Sequence, residues 1–282
     1  MAYLSGMTDT TKKGERIARR MARAGLCSRR KAERMIAEGR VTLNGETLSS
    51  PAVNVTADDV ILVDGQPLPG PAPVRLWRYH KPRGLVVTER DEKGRATIFD
   101  RLPGELGRVI SIGRLDINSE GLLLLTNDGA LARALELPEK GWTRRYRVRA
   151  FGHVKPQALE ALKDGVTIDG VRYGGVQARI DREQGDNTWL TFAIREGKNR
   201  EIRRICEHLG LKVNRLMRVA YGPFQLGDLA RGGVEEVPRK QMREQLGKLL
   251  ERLEEPARES GARKRGANRD GKGGGSHARH RR

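Results

Sequence analysis

The sequence predicts an α+β protein of two domains followed by a tail. Three observations predict it. Short stretches of alternating apolar and polar residues outnumber the amphipathic helical ones, which points to an antiparallel sheet with a few helices. Proline stands at every second position from Pro67 to Pro73, so residues 64–74 favour an extended linker between a segment of about 50 residues and one of about 175. The 55 Lys and Arg outnumber the 36 Asp and Glu, for a net charge of +19. That excess is uneven: residues 12–40 hold 11 basic and 3 acidic side chains, and residues 256–282 hold 9 and 2. A polyanion held near both ends of the chain is the implied partner.

In the first domain, residues 12–63, Ile17, Met21 and Ala24 recur at helical spacing and Gly25 ends the helix. Ser28 is the expected N-cap of a second helix with Ala32, Met35 and Ile36 on its apolar side. Arg29, Arg30, Lys31 and Arg34 occupy the other side, around a helix N-terminus that already favours phosphate. Val41–Leu43 then alternates into Asn44-Gly45, a strong hairpin signal, and Val60–Val63 supplies a further strand.

The second domain, residues 75–255, opens with a strand at Leu76–Tyr79, a turn at His80–Gly84 and a β-rich stretch at Leu85–Thr88. Strands are expected at Val109–Ile112, Arg145–Ala150 and Trp189–Ile194, and helices at 130–137, 156–163, 199–209 and 239–253. Four consecutive leucines, Leu122–Leu125, predict a strand buried on both faces. Asp128 is the expected N-cap of the helix after it. Residues 256–282 contain no Ile, Leu, Val, Met or aromatic residue and are expected to be disordered, attracting phosphates without specificity.

Several classes are disfavoured. The longest apolar run, Gly121–Leu125, falls far short of the roughly 20 residues of a membrane-spanning helix. The N-terminus has no apolar stretch of the kind a secretory signal needs, so a cytoplasmic location is expected. The two cysteines and five histidines lack ligand spacing, so neither a metal nor a disulfide framework is expected.

The polar loop ahead of the leucines holds Arg114, Asp116, Asn118, Ser119 and Glu120 between Gly113 and Gly121. A carboxylate at the mouth of a buried strand is well placed to meet a ligand, but Asp116 is equally suited to make a turn or cap an amide. Tyr146 on an alternating strand is either sheet packing or a stacking surface. Three- and four-residue spacing puts Arg200, Arg203 and Arg204 on one helical face, either to bind phosphate or simply to be solvated.

The segment ARAGLCSRRKAERMIAEGRVTLNG resembles the RNA-binding domain of the ribosomal-protein-S-four type, which reads RNA shape. Four further motifs occur in order: HKPRG at 80–84, GRLDINSEGLLLLTNDG at 113–129, RRYRV at 144–148 and EGKNREIRR at 196–204. With the small domain they resemble the RNA pseudouridine synthases, in the branch named for the small-subunit enzyme, across nearly all of residues 15–240. The resemblance implies isomerisation of uridine in ribosomal RNA without cofactor or metal. The preferred substrate is 23S rRNA, with 16S rRNA as the alternative and an assembly intermediate as a further form of either. It implies Asp116 as the catalytic carboxylate, Tyr146 as the stacking phenol, Arg203 as the aspartate's basic partner and Ile202 as the apolar residue against the base. Arg114, Lys198, Arg200 and Arg204 are then expected to hold the flipped nucleotide and its phosphates. His80 and Arg145 depart from the family's usual Asn and Lys, both outside the catalytic trio. Set against this reading stand a non-catalytic RNA-binding assembly factor and, more weakly, a DNA-binding regulator, for which no recognition-helix module is evident.

Overall fold

The computed structural model describes residues 14–137 and 141–254. The tail at 256–282 lies outside the described residues, as do the first two residues of the 12–63 domain.

The small domain runs β1 (Glu15–Arg16), α1 (Ile17–Arg23), α2 (Arg29–Ala37), β2 (Val41–Leu43), β3 (Glu46–Thr47), β4 (Asn54–Val55), β5 (Ile61–Val63) and β6 (Gln66–Pro67). Its four-stranded sheet has the order β3-β2-β5-β6, and β1 pairs separately with β4. The Ser28 hydroxyl caps α2 by accepting from the Lys31 amide at 3.2 Å. Ile17, Met21, Ala32, Met35 and Ile36 turn inward onto Val41, Val55, Ile61 and Val63 to form one core. Asn44 and Gly45 adopt φ of 52° and 90°, the double left-handed turn that joins β2 to β3. Asp64 and Gly65, at φ of 51° and 77°, repeat that turn and pair Gln66–Pro67 with Leu62–Val63. The small sheet therefore runs two paired residues into the stretch expected to be linker, because an Asp-Gly turn outweighs the following prolines. Pro67 is tolerated since it sits on an edge strand, where its missing N–H costs nothing.

The large domain comprises β7 (Leu76–Lys81), β8 (Ile110–Ile112), β9 (Glu120–Thr126), α3 (Gly129–Glu136), β10 (Arg144–Phe151), α4 (Pro156–Glu160), β11 (Val166–Ile168) and β12 (Val171–Tyr173). It continues through β13 (Gln177–Gln184), β14 (Asn187–Ile194), α5 (Glu201–His208), β15 (Lys212–Tyr221), β16 (Phe224–Gln225), β17 (Val234–Glu236), α6 (Arg239–Leu246) and α7 (Lys248–Glu254). The main sheet has the order β13-β14-β10-β15-β9-β7-β17, with β8 on β9 and β16 on β15. Among the described strands of this sheet only β15 with β9 pair in parallel, so the sheet is mixed and mainly antiparallel.

Strand β9 explains the leucine run. It lies between β15 and β7, and all four leucines are buried. Leu123 and Leu125 enter the core beneath α4 and α5, while Leu122 and Leu124 enter the core beneath α3, α6 and α7. At about 1.5–3 kcal/mol for each fully buried leucine, this strand is a principal source of the domain's stability. Gly121, at φ of 102°, is required here: a Cβ would meet the Arg218 carbonyl oxygen at 2.3 Å. Asp128 caps α3 by accepting from the amides of Ala130 and Leu131, both at 2.8 Å.

Several local expectations are corrected. Leu85–Thr88 forms no strand, because Val86 makes only an isolated bridge to Thr97. The strand expected to end at Tyr79 runs to Lys81. The 239–253 helix is broken at Gly247, whose φ of 43° ends α6. The 156–163 helix narrows after Glu160 to a 3-10 turn at Ala161–Asp164. Arg200 is not on a helical face with Arg203 and Arg204. It stands before α5 in the left-handed conformation, at φ of 50°.

Candidate active site

The loop between β8 and β9 is held almost entirely through its backbone. Asp116 accepts from the Ser119 amide at 3.0 Å, closing a turn. The Lys81 ammonium, fully buried at the end of β7, donates to the carbonyls of Pro82 at 3.0 Å, Asp116 at 3.2 Å and Ser119 at 2.9 Å. The Gly84 amide donates to the Ile117 carbonyl at 2.8 Å, and Arg203 of α5 donates to the Asn118 carbonyl at 3.0 Å. Every carbonyl from Asp116 to Ser119 is thus engaged, three of them by groups from outside the loop alone. The side chain of Leu115 anchors the same loop in the apolar core.

The Asp116 carboxylate itself is half-buried and accepts no hydrogen bond among the described residues. Its charge raises the pKa of Lys81, but burial dominates and brings the ammonium down to about 8. Burial likewise lowers the Arg203 pKa, with Arg200 and Arg83 acting in the same sense and Asp116 against them. Arg203 is 9% exposed, and its Nε has no acceptor among the described residues. Tyr146 and Ile202 are buried in the apolar cluster that holds Leu115, so phenol, isoleucine and aspartate loop share one side of the sheet.

The other expected residues lie around this centre or apart from it. Arg114 is exposed on the loop, and Arg200 is exposed while Arg204 is half-buried. Lys198 is already committed: its ammonium pairs with Glu196 at 2.9 Å, donates to the Arg172 carbonyl and sits 5.7 Å from the Tyr173 ring centroid. Arg29, Arg30, Lys31 and Arg34 are all exposed along α2, in the small domain. Arg29 lines a cleft of about 510 Å³ with Arg16, Arg19 and Arg23 of the small domain and Arg108 and Arg133 of the large one. Sequence reasoning missed Lys81 and Glu120 as site-building residues. Glu120 is 1% exposed and pairs with Arg215 and, at 3.5 Å, with Arg231, fixing the head of β9 to its neighbours. Among the described residues, no group of three or more His, Cys, Asp or Glu side chains is arranged to hold a metal ion. No helix among them is long and apolar enough to cross a membrane.

The loop is locked by its backbone beside a buried arginine and tyrosine, and comparison with known proteins places the fold among RNA-modifying enzymes. Residues 75–208 match the family model described as RNA pseudouridylate synthase, and residues 15–61 match the S4 domain. An uncharacterized RNA pseudouridine synthase of Rickettsia bellii is 48% identical over 226 residues, covering 80% of this chain and 98% of that protein. The ribosomal large subunit pseudouridine synthase B of Pseudomonas aeruginosa is 42% identical over 237 residues, covering 81% of this chain and 61% of that protein. The counterpart of the same name from Haemophilus influenzae is 40% identical and 65% covered. The crystal structure of a pseudouridylate synthase superposes with a TM-score of 0.59 at 25% identity, over 83% of this chain and all of that one. The chain belongs to the RNA pseudouridine synthase family. It is an isomerase that acts on uridine in RNA, built as an S4 domain followed by a synthase domain.

Proposed function

We propose that this enzyme isomerises a uridine of 23S ribosomal RNA in the cytoplasm, with Asp116, Tyr146 and Arg203 as its catalytic residues. The observation that carries the site assignment is the convergence of Lys81, Gly84 and Arg203 on the backbone of residues 116–119. Such a frame fixes the backbone that carries the carboxylate and leaves the carboxylate itself without a hydrogen-bond donor among the described residues, open to a ligand. The large-subunit substrate is supported by the names of the relatives that are 40–42% identical.

In the reaction, the bond from uracil N1 to the ribose C1′ breaks and the base turns. A new bond joins C5 to C1′, one proton leaves C5, and one is gained at N1. The Asp116 carboxylate serves either as nucleophile at C1′ or as the base that removes the 2′ proton. Arg203, buried and donating to the Asn118 carbonyl, sets a planar cation beside the loop that carries the carboxylate. Tyr146 offers a ring against the extruded uracil and a hydroxyl near C5, since a stacked base cannot present its sugar carbon to a protein group. Ile202 packs on the base, and Arg114, Lys198, Arg200 and Arg204 meet the neighbouring phosphates, Lys198 after exchanging its Glu196 partner. Arg29, Arg30, Lys31 and Arg34 hold the RNA stem through its backbone.

Asp116→Asn tests the reading. The variant should bind RNA as the parent does and form no pseudouridine. Full turnover in that variant would overturn the site. Mapping pseudouridine in rRNA from cells lacking this gene tests the substrate, and a mark missing from 16S instead of 23S rRNA would replace it.

A further inference from the structure

The reverse face of the main sheet presents a second cationic surface. Along β10, burial alternates strictly: Tyr146, Val148 and Ala150 point to the core with the aspartate loop, while Arg145, Arg147, Arg149 and Phe151 are exposed on the other side. On that other side α3, α6 and α7 cover β7, β8 and β9, which leaves β10, β14 and β13 bare. Trp189 of β14 lies opposite Arg149 on one neighbour and Arg182 of β13 on the other. The guanidinium carbons of Arg147 and Arg182 stand 5.2 and 5.4 Å from its ring centroid.

Charge balance sets this face apart from an ordinary solvated one. Among the described residues no carboxylate pairs with Arg145, Arg147, Arg149 or Arg182, whereas nearby Arg179 and Arg215 have Asp181 and Glu120. Arg145, Arg147 and Arg149 follow one another along β10 and Arg182 stands across Trp189 two strands away, so four unneutralised guanidiniums share one patch and their mutual repulsion destabilises the free protein slightly. A polyanion reverses the sign of that contribution. Stacking on Trp189 holds two of the planar forks in place, so less entropy is lost when each engages a phosphate. Exposed residues alternate along β10 at about 6.7 Å intervals, comparable with the phosphate repeat of an extended strand. Phe151, 51% exposed at the end of the row, offers a face on which a base can stack.

We infer that the bare reverse face of β13, β14 and β10 is a second RNA-binding surface. Arg147, Arg149 and Arg182 grip the backbone of a single-stranded segment there, on the opposite side of the sheet from Asp116. The inference concerns binding alone and does not depend on which rRNA carries the target uridine.

The test uses the full-length protein and a fluorescently labelled random-sequence single-stranded RNA of thirty nucleotides, with affinity measured across a potassium chloride series. The triple substitution Arg147→Gln, Arg149→Gln, Arg182→Gln should weaken binding about tenfold at moderate salt and flatten the salt slope by about 2, as loss of three single-strand phosphate contacts requires. The corresponding triple Lys variant should keep the slope, which separates charge from misfolding. Unchanged affinity and slope in the Gln variant would overturn the surface. So would polyglutamate that binds the parent as tightly as RNA and loses that binding in the variant, since the face would then serve an acidic protein. Asp116→Asn run in parallel should bind like the parent, so failure of this surface and failure of the active site give different results.

Discussion

Arginine does opposite work on α5 and on α2. On α5, Arg203 is buried, spends one N–H on the Asn118 carbonyl and has its charge disfavoured by burial. On α2, Arg29, Arg30 and Arg34 are exposed and make no ion pair among the described residues. The first setting gives geometry: a fixed charge beside a loop whose backbone is fixed, where a small displacement is costly. The second gives attraction, summed over several flexible side chains and screened by salt. The two regions should therefore respond to substitution in different measurements. A variant of α5 should change the rate of isomerisation, and a variant of α2 should change RNA affinity.

The largest effect is expected at the buried end of this contrast. Arg203→Gln should lower kcat by about a hundredfold or more while RNA affinity stays close to the parent's, because a buried, preorganised charge is lost from beside the aspartate loop. Single-turnover kinetics with saturating enzyme checks it. If affinity falls as steeply as rate, Arg203 works as one more phosphate contact and the contrast fails.

Lys81→Met comes next and sharpens the meaning of a buried cation. Lys81 touches no catalytic side chain and acts through the carbonyls of Asp116 and Ser119. The variant should lose about 2–4 kcal/mol of stability, through three lost charge-assisted hydrogen bonds partly offset by relieved burial. It should also lose kcat while KM is retained. Thermal unfolding and steady-state kinetics measure the two, and a stable, fully active variant would show that the loop holds its shape unaided.

Much of the architecture was legible in the sequence because local chemistry and tertiary need agree there. Ser28, Asn44-Gly45, Asp128 and the four leucines each satisfy a local backbone requirement and also feed a core. The failures have equally specific causes. Strand β13 was not recognised because a bulge near Asp181 interrupts its alternation, and Ile180 and Arg182 fall out of step. Leu85–Val87 has strand composition, but its residues pack individually into the core without a ladder to join. Asp64-Gly65 carries the same turn signal as Asn44-Gly45, and was outweighed by the prolines beside it. At the site, Asp116, Tyr146, Ile202 and Arg203 are named from motifs; Tyr146 and Ile202 share the apolar core with Leu115 of the aspartate loop, and Arg203 reaches that loop's Asn118 carbonyl. Lys81 was not, because lysine is almost never fully buried and nothing in its residue type announces three carbonyl partners.

Glu201 tests whether the buried end of α5 carries a pH-dependent strain. It is 3% exposed, it accepts from the Lys198 amide at 3.0 Å, and its pKa is pushed up to about 7, first by burial and then by the charge of Glu196. Because the folded pKa lies above the unfolded value, its contribution is fully present below about pH 4.5 and is lost as pH rises through about 7. Glu201→Gln removes the titration, so it should gain on the parent by on the order of 2 kcal/mol between pH 5 and pH 8. Thermal unfolding at three pH values measures this, and a gap that does not widen with pH would place the titration elsewhere.

The smallest effect is expected on α2. Arg30→Gln with Arg34→Gln should leave stability within about 0.5 kcal/mol of the parent, since both side chains stand in solvent on a helix whose apolar face is untouched. Binding of a structured rRNA fragment should weaken several-fold, and the salt slope should fall by about 1 for each arginine that contacts a phosphate. Turnover at saturating RNA should be unchanged, because the aspartate loop and its three supports lie in the other domain. A fall in kcat at saturation would mean that the small domain takes part in placing the uridine as well as in capturing the RNA, and the separation between attraction and geometry would no longer follow the domain boundary.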